Sequence, residues 1–116
     1  MVSGVHTERI PLRPAVLHIL LALSGGELHG LGIADQVDEV SRGVVKLGPG
    51  TLYRSLDEME EAGLIRRTEP PETDADPRRK YYGITPRGER LLRAEMERLG
   101  QMVALARSRH VLPESL

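Results

Sequence analysis

The chain has 116 residues, enough for one domain of ordinary size. With 40% hydrophobic and 28% charged residues it has the composition of a globular protein, and with no Phe and no Trp its core must be aliphatic. No cysteine excludes disulfides, thiolate metal sites and thiol catalysis and is compatible with the cytoplasm, while a formal net charge of -1 excludes a global attraction to nucleic acid or anionic membrane.

Residues 1–8 and 110–116 carry no pattern and read as unstructured ends. The apolar run Ala15–Leu23 is too short to span a bilayer, so no membrane association is expected, and with Pro14 at its start it reads as a buried helix. It has almost no polar face. A helix apolar all round is buried all round, and in so small a domain a second subunit is a natural source of cover. Ser24-Gly25-Gly26 ends it, and Leu28-His29-Gly30 opens a second helix with Leu31, Ala34 and Val37 on one stripe. Beyond the break at Ser41-Arg42-Gly43, Val44–Leu47 reads as a short extended segment. Gly48-Pro49-Gly50-Thr51 starts a third helix, striped by Leu52, Leu56, Met59 and Ala62 and closed by Gly63.

The period then changes. Residues 64–69 and 78–84 read as strands separated by a loop that contains Glu72, Asp74 and Asp76. Thr85-Pro86 is a helix start, and a last helix is expected to about Arg109. Its Leu92, Met96, Leu99, Val103 and Ala106 alternate steps of four and three, the pattern of a coiled-coil seam.

Three helices followed by a two-stranded ribbon are the order of a winged helix-turn-helix, which places the third helix for the major groove and the loop along the DNA backbone or in the minor groove. The expectation is a mainly α fold with a small β wing: residues 10–85 as the DNA-binding domain and residues 86–109 as a C-terminal dimerisation helix. Leu17 and Leu20 of the first helix and Leu92, Met96, Leu99 and Val103 of the last are the expected dimer contacts.

Four stretches, Leu28-His29-Gly30, Gly48–Tyr53, Glu60–Ile65 and Arg78–Gly88, resemble the PadR family of regulators in order and spacing. The resemblance covers about residues 10 to 106 and implies a bacterial or archaeal transcriptional regulator, usually a repressor, dimerised through its C-terminal helix. The single helix at that end is similar to the short branch of the family. Some of its members bind flat aromatic effectors between tryptophans; with no Trp here that sandwich cannot form, and the chemistry of any effector stays open.

The DNA-contact candidates follow from position. The start of the third helix presents free N–H groups and a positive dipole end, and Gly48 and Gly50 allow close backbone approach. Thr51, Tyr53 and Arg54 lie off the apolar stripe. Arg54 is the candidate reader of a base edge, with a phosphate-binding or solvated arginine as its alternative. Tyr53 either donates to a phosphate or packs in the core. Lys46 and the cluster Arg78-Arg79-Lys80 at the wing base are phosphate-binding candidates, the cluster's alternative being a solvated strand end. Tyr81 and Tyr82 point to opposite faces of a strand, which puts one of them in the core. The acidic run Asp57, Glu58, Glu60 and Glu61 lies in the half of the third helix that leaves the groove, and the acidic loop tip is expected to stay off the phosphates. Cations and anions balance over residues 42–80, so any basic face depends on their separation.

Two other functional classes fit the sequence less well. The four histidines are scattered, no hydrolase or phosphate-loop motif occurs, and His29 with Asp35 or Asp38 does not share a helical face, so neither an enzyme nor a metal or cofactor site is expected. His29 is instead expected to cap or pack. A winged-helix module used only for protein–protein contact is the alternative that near-neutral charge favours.

Overall fold

The computed structural model describes residues 9–114. Helices α1 (Pro14–Leu23), α2 (Gly30–Val40) and α3 (Pro49–Glu61) are followed by strands β2 (Ile65–Thr68) and β3 (Tyr81–Ile84) and by the long helix α4 (Pro86–Ser108). A two-residue strand β1 (Leu28–His29) precedes α2 and completes an antiparallel sheet of order β1-β3-β2. The helices stand where the apolar periods put them, and the sheet makes the fold a winged helix.

One strand is not where the sequence suggested. Val44–Leu47 forms no strand, because Val45 donates its N–H to Ser41 Oγ at 3.0 Å and accepts the hydroxyl at its carbonyl at 3.2 Å. With both backbone groups held by one side chain, neither is available to a ladder. The third strand is Leu28–His29, expected as part of a helix start; Leu28 pairs with Tyr82 and His29 with Tyr81. Two residues carry no period, so only the pairing reveals them. The expected strand 78–84 begins at Tyr81, which leaves Arg78, Arg79 and Lys80 in the loop.

The helix ends follow local chemistry. Thr85 Oγ1 accepts from Gly88 N at 3.0 Å and caps α4. At the end of α3, Gly63 has φ 80, its N–H reaches Glu60 O, and Leu64 N–H reaches Met59 O, a paired closure that uses the left-handed glycine. α4 ends in the same pattern with His110 at φ 63: His110 N–H bonds Arg107 O and Val111 N–H bonds Ala106 O. Of residues 110–114, expected to be unstructured, the first three thus fold back on the end of α4 through backbone hydrogen bonds, while residues 1–8 and 115–116 of the expected loose ends lie outside the described residues.

The core is aliphatic, as an absence of Phe and Trp requires. Val16, Ile19, Leu20, Leu23, Ile33, Val37, Leu52, Leu56, Met59, Leu64, Ile65 and Tyr82 fill it. α1 packs on α2, α3, α4 and β3 of its own chain. Its expected need for a second subunit is therefore mostly met within the protomer: five of its residues are buried, and Leu17 and Leu21 are half-buried. Two of the expected dimer contacts are corrected on the same ground. Leu20 is fully enclosed and Leu92 is 8% exposed, so both side chains belong to the protomer's own core and leave almost no surface for a partner. The seam of α4 divides at that point. Leu92 seals the core, Met96, Leu99 and Val103 are half-buried, and Met102 and Leu105 lie open.

Glu95 is a buried charge that the apolar seam concealed. It is 1% exposed and accepts Leu12 N–H at 2.9 Å, and the Arg98 guanidinium grips it with two bonds of 2.8 and 3.1 Å. It pins the segment before α1 to α4. The Arg98 bonds, aided by the Leu12 N–H, hold its carboxyl below the usual carboxylate range against the opposing effect of burial. A carboxylate depressed in the folded state adds stability above its unfolded pKa and loses it as pH falls through the folded value. Glu95→Gln should therefore cost about 1–3 kcal/mol at neutral pH. Urea titrations at pH 7 and pH 3 should find this gap between the two proteins narrowed in acid; an equal gap at both pH values would contradict the assignment.

Candidate nucleic-acid interface

The two faces of β3 separate core from interface. Directly opposed residues share a face, so Leu28, Tyr82 and Arg67 line one side and His29, Tyr81 and Thr68 the other. On the inner face Tyr82 is buried beneath Arg67, whose guanidinium lies 5.3 Å from the ring centroid. Burial raises the Tyr82 phenol above its ordinary pKa. Tyr82 is thus the core tyrosine, as alternation required; Tyr81 is also buried, but beneath the wing.

Under the wing, side chains hold the loop to the start of α2. Tyr81 donates to Asp74 Oδ2 at 2.5 Å, and the Asp76 N–H donates to Asp74 Oδ1 at 2.8 Å. The first of these bonds and then the second hold the Asp74 carboxyl below the usual range, and the same bond raises the Tyr81 phenol. Arg79 stands 3.8 Å from Asp74 and places Nη1 3.2 Å from His29 Nε2. The His29 ring meets Tyr81 edge-on at 5.3 Å, and its Nδ1 accepts Gly32 N–H at 3.2 Å. His29 therefore caps α2, the role expected of it.

The expected acidic tip is accordingly corrected at Asp74. The Asp74 side chain is only 3% exposed and faces inward, and Asp76 binds Arg78 through both the backbone N–H (3.0 Å) and Nε (3.3 Å). Asp74 shapes the loop from within, Asp76 shapes it while half-exposed at the cleft, and Glu72 stays exposed. A residue-type count cannot separate an acid that organises a turn from one that repels a ligand; the spacing Asp-x-Asp-x-Arg, which suits side-chain-to-backbone turns, was the available signal.

The cations now have places. Arg78, Arg79 and Lys80 line a cleft of about 360 Å³ with Tyr53, His29, Gly30, Leu31 and Asp76. Tyr53 is exposed, not core, and its hydroxyl lies over Gly30, where an added Cβ would approach it to 2.5 Å. Gly50, Thr51 and Arg54 are exposed on α3, whose buried side is Leu52, Ser55, Leu56 and Met59. No side chain caps α3 at Gly48, so the N–H groups of its first turn remain available to an acceptor. Lys46 stands apart from the cleft, before α3, and pairs with Asp38 at 3.1 Å. Tyr53 and the basic cluster were named from the sequence and meet in this cleft; Gly30 and Leu31 were not, and His29 was expected only to cap or pack.

The acids of α3 are partly neutralised within the fold. Glu58 pairs with Arg13 at 3.1 Å and Glu60 with Arg67 at 3.7 Å, while Asp57 and Glu61 continue the exposed face beyond Arg54. That face is basic at its N-terminal end and acidic at its C-terminal end. Among the described residues no three His, Asp or Glu side chains gather as a metal site, and no helix is long and apolar enough to cross a membrane.

The chain is similar to a PadR family transcription regulator from hypervirulent Clostridium difficile R20291: 28% identity and a TM-score of 0.70, over 83% of this chain and 97% of that one. Bacillus subtilis PadR in complex with operator DNA is similar in fold, with 23% identity and a TM-score of 0.63, over 74% of this chain and 47% of that one. An uncharacterised 37.1 kDa protein in transposon TN4556 of Streptomyces fradiae is 33% identical over 88 residues, which are 76% of this chain and 24% of that protein. This chain thus spans about a quarter of that relative's length. The model of the transcriptional regulator PadR-like family matches residues 16–94, and the chain belongs to that family.

Proposed function

We propose that the chain binds operator DNA as a homodimer and acts as a transcriptional repressor. The observation that carries this reading is the meeting of Tyr53, Arg78, Arg79 and Lys80 in one cleft, on the chain whose α3 exposes Thr51 and Arg54. The similarity in fold to Bacillus subtilis PadR in complex with operator DNA supports the choice of duplex DNA as partner. In this reading residues 10–85 bind DNA and residues 86–109 join the protomers. Arg54 reads a base edge, while Lys46 and the wing-base cations, together with the open N–H groups at Gly50 and Thr51, hold phosphates. The protein is cytoplasmic and a binding protein, not an enzyme.

The dimer contacts are Met96, Leu99 and Val103 of the expected set, extended by the exposed Met102 and Leu105, with the half-buried Leu17 of α1 at their edge. Beyond Glu95 no residue of α4 is buried in the protomer, although the apolar spacing continues through Ala106. Apolar surface that persists past the protomer's own core is what a second chain would cover. Leu105→Asp adds charge at a side chain 49% exposed in the protomer, so it should leave the fold intact and yield a monomer in sedimentation. A folded wild-type monomer at micromolar concentration would contradict the dimer.

A two-fold dimer presents α3 twice in opposite directions, so the best site should be an inverted repeat with half-sites about 10 base pairs apart or a multiple of that. Affinity should fall with salt with a logarithmic slope of about −5 or steeper if three or more phosphates are neutralised in each half-site. Arg54→Ala should cost roughly 1–3 kcal/mol at the preferred site and relax one base pair in each half, whereas Lys46→Ala should weaken all duplexes alike. Footprinting and salt titration check both. Binding indifferent to salt, or the absence of any duplex binding, would favour the protein–protein module that near-neutral charge allows.

A further inference from the structure

The cleft between α2, α3 and the wing holds more hydrogen-bond donors than its protein partners can satisfy. His29 Nδ1 lies 3.2 Å from Gly32 N–H, and His29 Nε2 lies 3.2 Å from Arg79 Nη1. Both neighbours can only donate. A neutral imidazole has one acceptor nitrogen and carries a proton on the other, so it accepts from one of them and not from both. With the cap of α2 in place, the ring proton is on Nε2 and faces the Arg79 N–H. Two donors then point at one another at the wall of an open cleft.

The ring is held in that position from several sides. Tyr81 meets it edge-on, and Tyr81 and Arg79 both engage Asp74. The lining acid, Asp76, is occupied by Arg78. Lys80 and the Tyr53 hydroxyl complete the lining, and the absence of a side chain on Gly30 lets that hydroxyl stand over the first turn of α2.

The geometry points to His29 as a DNA phosphate ligand: one backbone phosphate of each half-site sits in this cleft, accepting from His29 Nε2–H, Arg79, Lys80 and Tyr53. A doubly charged donor set beside a helix N-terminus suits a phosphate oxygen, and an anion there separates the opposed donors by giving each an acceptor. Arg79 is thereby drawn off the histidine, and the neutral ring serves both the helix cap and the ligand. The inference rests on the reading that the protein binds duplex DNA and adds the residue and the place at which one phosphate is held.

His29→Asn tests it, because asparagine supplies an N-cap acceptor but has no group at the Nε2 position. The variant should keep its melting temperature and lose about tenfold in affinity, equally for operator and random duplex, since a phosphate contact carries no sequence information. Duplexes with a neutral methylphosphonate at single backbone positions should identify one position in each half-site where wild type and His29→Asn bind equally. Undiminished binding by folded His29→Asn, or a loss confined to the operator, overturns the proposal. If His29→Asn unfolds, scanning the wild type decides it: the position that costs most should be the one where Arg79→Ala adds no further loss, and no such position overturns the proposal. If the wild type binds no duplex, the DNA reading itself has failed. Inorganic phosphate shifting the His29 ring resonances in that case would assign the seat to a free phosphate, and no shift would remove the seat altogether.

Discussion

Two adjacent tyrosines on the central strand face opposite ways, and most of the molecule is arranged around that alternation. Tyr82 is driven inward because its ring is among the largest groups available to a core that has no Phe or Trp. Once it is buried, the pleat commits Tyr81 to the outer face, where His29 and Asp74 enclose it. A slip of one residue would exchange the two rings, and it would carry the bonds of the wing with it. Core packing and the shape of the wing are thus set by one register.

Near-neutral net charge is compatible with a basic face because much of the acid is committed within the fold. Glu58 and Glu60 neutralise Arg13 and Arg67, and Asp74 and Asp76 stabilise the turns of the wing. Exposed pairs of this kind contribute little stability. Their effect is on distribution: Arg78, beside Asp76, and Arg79, beside Asp74, gather with Lys80 around one cleft, and Arg54 stands on the open side of α3. For a partner bound through phosphates, the local arrangement matters more than the total, since counterions screen charges more than about 10 Å away.

α4 has two roles along its length. Near its start Gly88 lies so close to the residue before β2 that an added Cβ would fall 2.2 Å from Leu64 O, and Leu92 and Glu95 seal the core a turn or two later. Past Glu95 the helix leaves the core with its apolar spacing unbroken. The buried carboxylate marks the transition. It satisfies the Leu12 N–H and Arg98, which an apolar residue at that position could not do.

Helices and their caps were legible in the sequence because they depend on contacts within a few residues. Apolar periods, Pro at first positions, Thr85 as a cap and Gly63 as a stop all act locally, and so does His29 as the cap of α2. The third strand was not legible, since Leu28–His29 becomes a strand only by pairing with residues more than fifty positions away. The same limit applied to the acids: whether Asp74 fronts the wing or anchors it depends on where Tyr81 stands. It applied also to Leu20 and Leu92, whose apolar character is the same whether their own core or a second chain covers them. The sequence by itself determined the helices, the aliphatic core and the family resemblance, because these rest on residue type and short-range spacing. Only the tertiary structure decided which charges are committed to one another, which half of α4 stays open, and that His29 faces Arg79, because each depends on distances between segments remote along the chain.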